Sequence, residues 1–215
     1  MEEERKMPKS DKREYRSMPV MAVERAGEQE KAYKVRGYAS TFGEKYELFE
    51  DWDGNKYYEI IDPHAFDEAD MSDVIMQYDH EGMVFARTRN KSLALAIDDH
   101  GLMIEADLGL TQDSRRMYEA IEAGLVDQMS FCFVIKAEEY DRTTRTSTIT
   151  KISKVYDVSA VSIPANPGTD IAISAERKKR MDGLIQEERA ERLEKEARQK
   201  RIRILMLKAR IAKGE

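Results

Sequence analysis

From Met18 onward the chain is dominated by short stretches in which apolar and polar side chains alternate. A strand sends successive side chains to opposite faces, so a half-buried strand repeats with a period of two. MPVMAVE (18–24) and KAYKVRGYAS (31–40) follow that rule around the turn-like RAGEQE, which predicts an antiparallel hairpin. YYEIID, VIMQYDH, VFARTR, SLALAID and GLMIEADLG are predicted as further short strands, bounded by the turn signals DWDGN, HEG, RN and DDHG. FCFVIKAEEY and STITKISKVYDVSAVS read as two more, joined by the polar loop DRTTRT, with IAIS as a last short one.

Two stretches keep a helical character instead. In TQDSRRMYEAIEAGL, Met117, Tyr118, Ile121 and Leu125 fall at helical spacing, Thr111 or Asp113 stands where a cap belongs, and Gly124 lies near the end. From Ala175 the chain has almost no strand formers before Ile202 and is rich in Glu, Arg, Lys, Ala and Leu, which predicts a long helix. Its apolar positions keep no clean heptad, so a coiled coil is not demanded, and Asp182-Gly183 is a point where the helix could break. PANPG at 164–168 must be a loop or a sheet edge, because proline cannot donate to a ladder. Residues 1–17 are nearly all polar with no apolar period and read as a disordered leader. The expectation is an α+β, mainly β protein: a compact β-barrel-like core with a few flanking helices over residues 18–174, between the charged leader (1–17) and a charged helical tail (175–215).

Composition narrows the classes. With 215 residues, 41% of them hydrophobic, the chain can enclose one ordinary core plus extensions, but hardly two full domains. No apolar run approaches the roughly 20 residues a membrane helix needs, and the start, MEEERKM, lacks the apolar region of a secretory signal. One cysteine, Cys132, excludes an intrachain disulfide and a cysteine-rich zinc site, and three scattered histidines, His64, His80 and His100, leave little for a metal centre. Charge is split: residues 175–215 hold 14 Lys and Arg against 8 Asp and Glu, so the tail carries +6 and the remainder −12 of the net −6. Interleaved acids and the absence of aromatics in that tail favour a solvated helix over a nucleic-acid arm.

Three residues stand where chemistry is plausible, each weak alone. His80 ends an apolar strand just before a turn, although a lone histidine is more often structural. Ser130 opens a strand after the helix and shares a face with Cys132 and Val134, opposite Phe131 and Phe133. Asp157 is flanked by Val155, Tyr156, Val158 and Val161, so it must face out or find a hydrogen-bonding partner, for which a histidine would serve.

Their combination is more specific. GYASTFG, IDPHAF, a strand ending in His80, the DDHGLMIEADL hairpin, AIEAGLVDQMSF and VYDVSAVSIPANP occur in the order seen in prohead proteases of tailed phages. From about Val20 to Ile173 the sequence resembles that family, which is itself similar in fold to the herpesvirus assembly proteases, whose third catalytic member is a histidine. The resemblance implies a serine endopeptidase with His80, Ser130 and Asp157 as its catalytic residues and no metal or cofactor. It also implies action on the major capsid protein and its scaffold region, and on the protease itself, inside the assembling prohead in the cytoplasm of a bacterial host. Self-association is compatible with that setting; a membrane or nucleic-acid partner is not expected. Backbone N–H groups of Ala165 or Asn166 are candidate oxyanion donors, since Pro164 and Pro167 have none to give. The chain departs from the family in two places: Cys132 stands where glycine is usual two positions after the serine, and Asp79 where asparagine is frequent before the histidine.

Rival readings remain open at this level. A catalytically silent scaffolding or capsid-assembly protein would keep the fold and act through its tail. A cysteine protease would use Cys132 with His100, although cysteine within an apolar strand is usually a small buried hydrophobe. A nucleic-acid-binding protein would act through the basic tail with a steep salt dependence.

Overall fold

The computed structural model describes residues 5–6, 12–19, 21–24, 33–162 and 175–212. It divides into two units, Met1–Ser174 and Ala175–Glu215. In the first, the strands are β1 (Arg5–Lys6), β2 (Arg13–Pro19), β3 (Met21–Glu24), β4 (Lys34–Thr41), β5 (Tyr46–Glu50), β6 (Lys56–Ile61), β7 (Ile75–Tyr78), β8 (Glu81–Arg87), β9 (Leu93–Ile97), β10 (Gly101–Asp107), β11 (Gln128–Asp141) and β12 (Thr146–Val161), with the helix α1 (Gln112–Glu122) before β11. The second unit is the helix α2 (Ala175–Ala212). The mainly β class with a long charged C-terminal helix is thus observed. The strands form two sheets and are not closed into a barrel.

The smaller sheet has the order β3-β4-β10-β9, and the hairpin expected from MPVMAVE and KAYKVRGYAS is its β3-β4 pair, with Met21 opposite Gly37. The larger sheet is organised by the long β11-β12 hairpin. β12 pairs in parallel with β6 through its first residues and with β7 through its last, while β11 takes β2 along its first half and β1 near its end. One apolar cluster joins both sheets and α1, with Val35, Leu102, Phe131, Phe133, Val158 and Ile121 among its members. Phe131 and Phe133 stack 4.4 Å apart within it.

The caps of α1 follow the sequence. Thr111 is the cap, its Oγ1 accepting the Ser114 N–H at 3.0 Å, and the chain leaves the helix through Gly124 at φ +71°. Ser114, Met117, Tyr118 and Ile121 form the buried face, whereas Leu125 lies beyond the helix and is exposed. In α2 the helix runs on through Asp182-Gly183, since one interior glycine costs only about 1 kcal/mol.

The charged leader is a correction. Residues 13–17 are not irregular but belong to β2, hydrogen-bonded along β11 from Gln128 to Val134. The cause is a charge pair: Arg16 and Glu59 are both buried and joined by two hydrogen bonds, so a polar strand is held by its ions. The stretches PANPG and IAIS lie outside the described residues.

Candidate active site

Period-two alternation builds the floor of the site. On β11, Met129, Phe131 and Phe133 enter the core, which turns Ser130 and Cys132 to the other face. On β12, Val158 and Ala160 enter the core, which turns Asp157 and Ser159 the same way. Register sets Ser130 opposite Ser159 and Cys132 opposite Asp157. Ser130 and Asp157 are therefore diagonal neighbours, about 7–8 Å apart in a sheet of ordinary geometry, a gap that one imidazole can bridge.

The imidazole comes from the β7-β8 turn. Tyr78 pairs with Glu81, leaving Asp79 and His80 as a two-residue turn with φ of 46° and 62°. Positive φ at both central residues matches the twist of a hairpin, and Asp and His tolerate the left-handed region better than most residues. Because β7 runs parallel to β12, with Ala160 opposite Tyr78, the turn arrives beside the end of β12. There the Asp79 N–H donates to the Ala160 carbonyl at 3.0 Å, and its carboxylate accepts the Ser162 N–H at 3.2 Å and hydroxyl at 3.3 Å. Asp79 thus clamps the turn to β12.

His80 then spans the diagonal. Its Nδ1 is hydrogen-bonded to Asp157 Oδ1 at 2.5 Å and its Nε2 to Ser130 Oγ at 2.6 Å. Ser159 Oγ donates to the same Asp157 oxygen at 2.7 Å. Ser130 is 1% exposed and the His80 side chain 17%, so the relay is mostly withdrawn from water but reachable at the imidazole. In such an arrangement the carboxylate fixes the tautomer that leaves Nε2 free to accept a proton, and the serine hydroxyl is already directed at it.

The neighbours of Asp157 include two groups with displaced pKa values. Burial first, and then the Asp157 carboxylate, push the Cys132 thiol up to about 12, so at neutral pH it is a protonated sulfhydryl rather than a nucleophile. Tyr15 of β2 stands opposite Cys132 in register, and its own pKa is raised, chiefly by burial and then by the neighbouring thiol. Its ring meets the His80 imidazole at 73° with centroids 4.7 Å apart. Sequence reasoning missed both Ser159 and Tyr15. Ser159 was within reach, two positions from Asp157 on the same face; Tyr15 was concealed in the charged leader.

The other candidates lie elsewhere. His100 packs against Tyr38 with centroids 4.4 Å apart in the smaller sheet, while Cys132 is in β11 of the larger one, so the Cys132 and His100 pairing is not formed. His64 is exposed and hydrogen-bonded to Asp67 at 3.2 Å. Among the described residues no three His, Cys, Asp or Glu side chains are grouped to hold a metal, and no helix is long and apolar enough to cross a membrane. Ala165 and Asn166, the candidate oxyanion donors, lie outside the described residues.

A family model described as caudovirus prohead serine protease matches residues 17–183. The chain belongs to that family. No curated protein and no solved structure matches it. The match to the prohead protease family spans His80, Ser130 and Asp157 and runs into the first turns of α2, but begins after Tyr15.

Proposed function

We propose that this prohead protease cleaves peptide bonds with Ser130 as nucleophile, His80 as general base and acid, and Asp157 as the group that orients His80. The observation that carries this reading is the unbroken hydrogen-bond relay from Ser130 Oγ through both imidazole nitrogens to Asp157. Ser130 Oγ attacks the scissile carbonyl carbon while Nε2 of His80 takes its proton, and the imidazolium is stabilised by Asp157. The same proton then passes to the leaving amine, which departs and leaves an ester on Ser130. Water, deprotonated by His80, hydrolyses that ester and restores the enzyme. Ser159 lowers the charge density on the Asp157 oxygen that faces His80, and holds it in place.

The substrates in this reading are the scaffold region of the major capsid protein and the protease itself, cut within the assembling prohead in the host cytoplasm. The family supports the setting. Co-expression with a scaffold-bearing capsid protein, followed by mass mapping of the products for wild type and Ser130→Ala, tests it. Products that vanish in the variant support the reading. Products unchanged in the variant, or none from a folded wild type that still co-assembles, favour a silent assembly protein.

A further inference from the structure

Strand β2 carries two sets of side chains. Glu14 and Arg16 are buried, and Arg16 Nη2 donates to Glu59 Oε2 at 2.7 Å while its Nη1 donates to the Tyr15 carbonyl at 2.7 Å. The Arg16 guanidinium also lies 5.4 Å from the centre of the Phe133 ring. Withdrawing β2 would take this cation from a fully buried carboxylate, a strongly unfavourable change, so β2 is a resident strand of the fold.

Alternation then presents Tyr15 to the opposite face, the one that holds Ser130, Cys132 and Asp157. Its register partner is Cys132, and its ring lies 4.7 Å from the imidazole of His80, inclined at 73° to it. The two hydrogen bonds at Nδ1 and Nε2 fix a line through the imidazole but not rocking about that line. An aromatic wall against the ring supplies the missing constraint.

We propose that Tyr15 is a positioning residue for His80, contributed by a strand segment that precedes the family match: the ring holds the imidazole in the plane that serves both Ser130 and Asp157, and the pairing of β2 with β11 anchors the tyrosine. The proposal rests on the catalytic reading of Ser130, His80 and Asp157. In this role Tyr15 acts through His80.

The test uses the full chain with Tyr15→Phe, Tyr15→Leu and Tyr15→Ala, and a serine-directed fluorophosphonate as the acylating probe, with its maximal rate separated from its binding constant. Phe keeps the ring and acylates within about threefold of wild type, whereas Leu and Ala lose about tenfold or more in maximal rate with binding unchanged. Melting temperature is followed in parallel. Where Ala unfolds, Leu decides, because it fills similar space and preserves the strand. A wild-type rate in folded Leu overturns the proposal, as does a Phe variant that falls to the level of Leu. Failure of the underlying reading has a different signature: wild type is unlabelled, or Ser130→Ala is labelled as fast as wild type.

Discussion

Ser130 and Asp157 sit on one face of two paired strands, two residues out of direct register, with Cys132 opposite the aspartate and Ser159 opposite the serine. Direct contact between them is excluded by that stagger, and the space between is filled by His80 from a second strand pair, β7-β8. The relay is therefore a property of register: shifting β11 against β12 by one residue would turn Ser130 into the core.

If Ser130, His80 and Asp157 act as a unit, their removal is not additive. Ser130→Ala and His80→Ala each reduce cleavage by a factor on the order of 10⁴ or more, and the double variant is no worse than either single one. Circular dichroism and melting of both should match wild type within a few degrees. A double variant markedly worse than both would show that the two residues contribute separately.

Asp157→Asn keeps the shape but offers an amide where His80 needs an acceptor, which favours the wrong tautomer. Its turnover should fall by roughly 10⁴. Ser159→Ala removes one charge-assisted hydrogen bond to the same oxygen and should cost about tenfold. Equal losses in the two variants would contradict the different roles given to them.

The thiol offers a check on the cysteine alternative. With Cys132 buried and its pKa pushed up to about 12, iodoacetamide should alkylate the native protein very slowly between about pH 7 and pH 9, and rapidly only after unfolding. Activity should survive the native treatment. Fast alkylation accompanied by inactivation would mean that the sulfur is an accessible thiolate.

The turn that delivers His80 depends on backbone conformation. Asp79 has φ of 46° and its carboxylate binds Ser162, so Asp79→Asn should stay near wild-type activity. Asp79→Val puts a β-branched residue at positive φ and removes the clamp, destabilising the protein by about 1–3 kcal/mol and lowering activity more than stability alone explains. Calorimetry alongside turnover separates the two effects.

The family match ends at residue 183, and beyond it α2 is a charged helix whose isolated form would be marginal in water. A chain ending at Gly183 should keep its fold and Ser130-dependent cleavage of a supplied substrate, yet enter assembling capsids poorly. Collapse of the truncated chain, or normal incorporation, would contradict a targeting role for the remaining helix.

Much of the site's floor is written in the sequence, because period two alone assigns Ser130 and Cys132 to the face opposite Phe131 and Phe133. The cap at Thr111 and the exit at Gly124 are equally local. What sequence could not place were features fixed by distant partners. The sequence HEG points to a turn around Gly82, yet Asp79 and His80 form it, held by contacts with Ala160 and Ser162 some eighty residues away. Strand β2 was hidden because its buried side chains are ions, and the partner that makes Arg16 buriable is Glu59 in another strand. β5 is too short and too polar, as YELFE, to declare itself without β6 beside it.

The central claim is that Ser130 is a nucleophile activated by His80. Tandem mass spectrometry of the folded protein after reaction with a serine-directed fluorophosphonate tests it most directly. A single adduct on Ser130, absent in Ser130→Ala and slowed by orders of magnitude in His80→Ala, is the predicted result. An adduct on another residue, or one on Ser130 formed equally fast without His80, would contradict it.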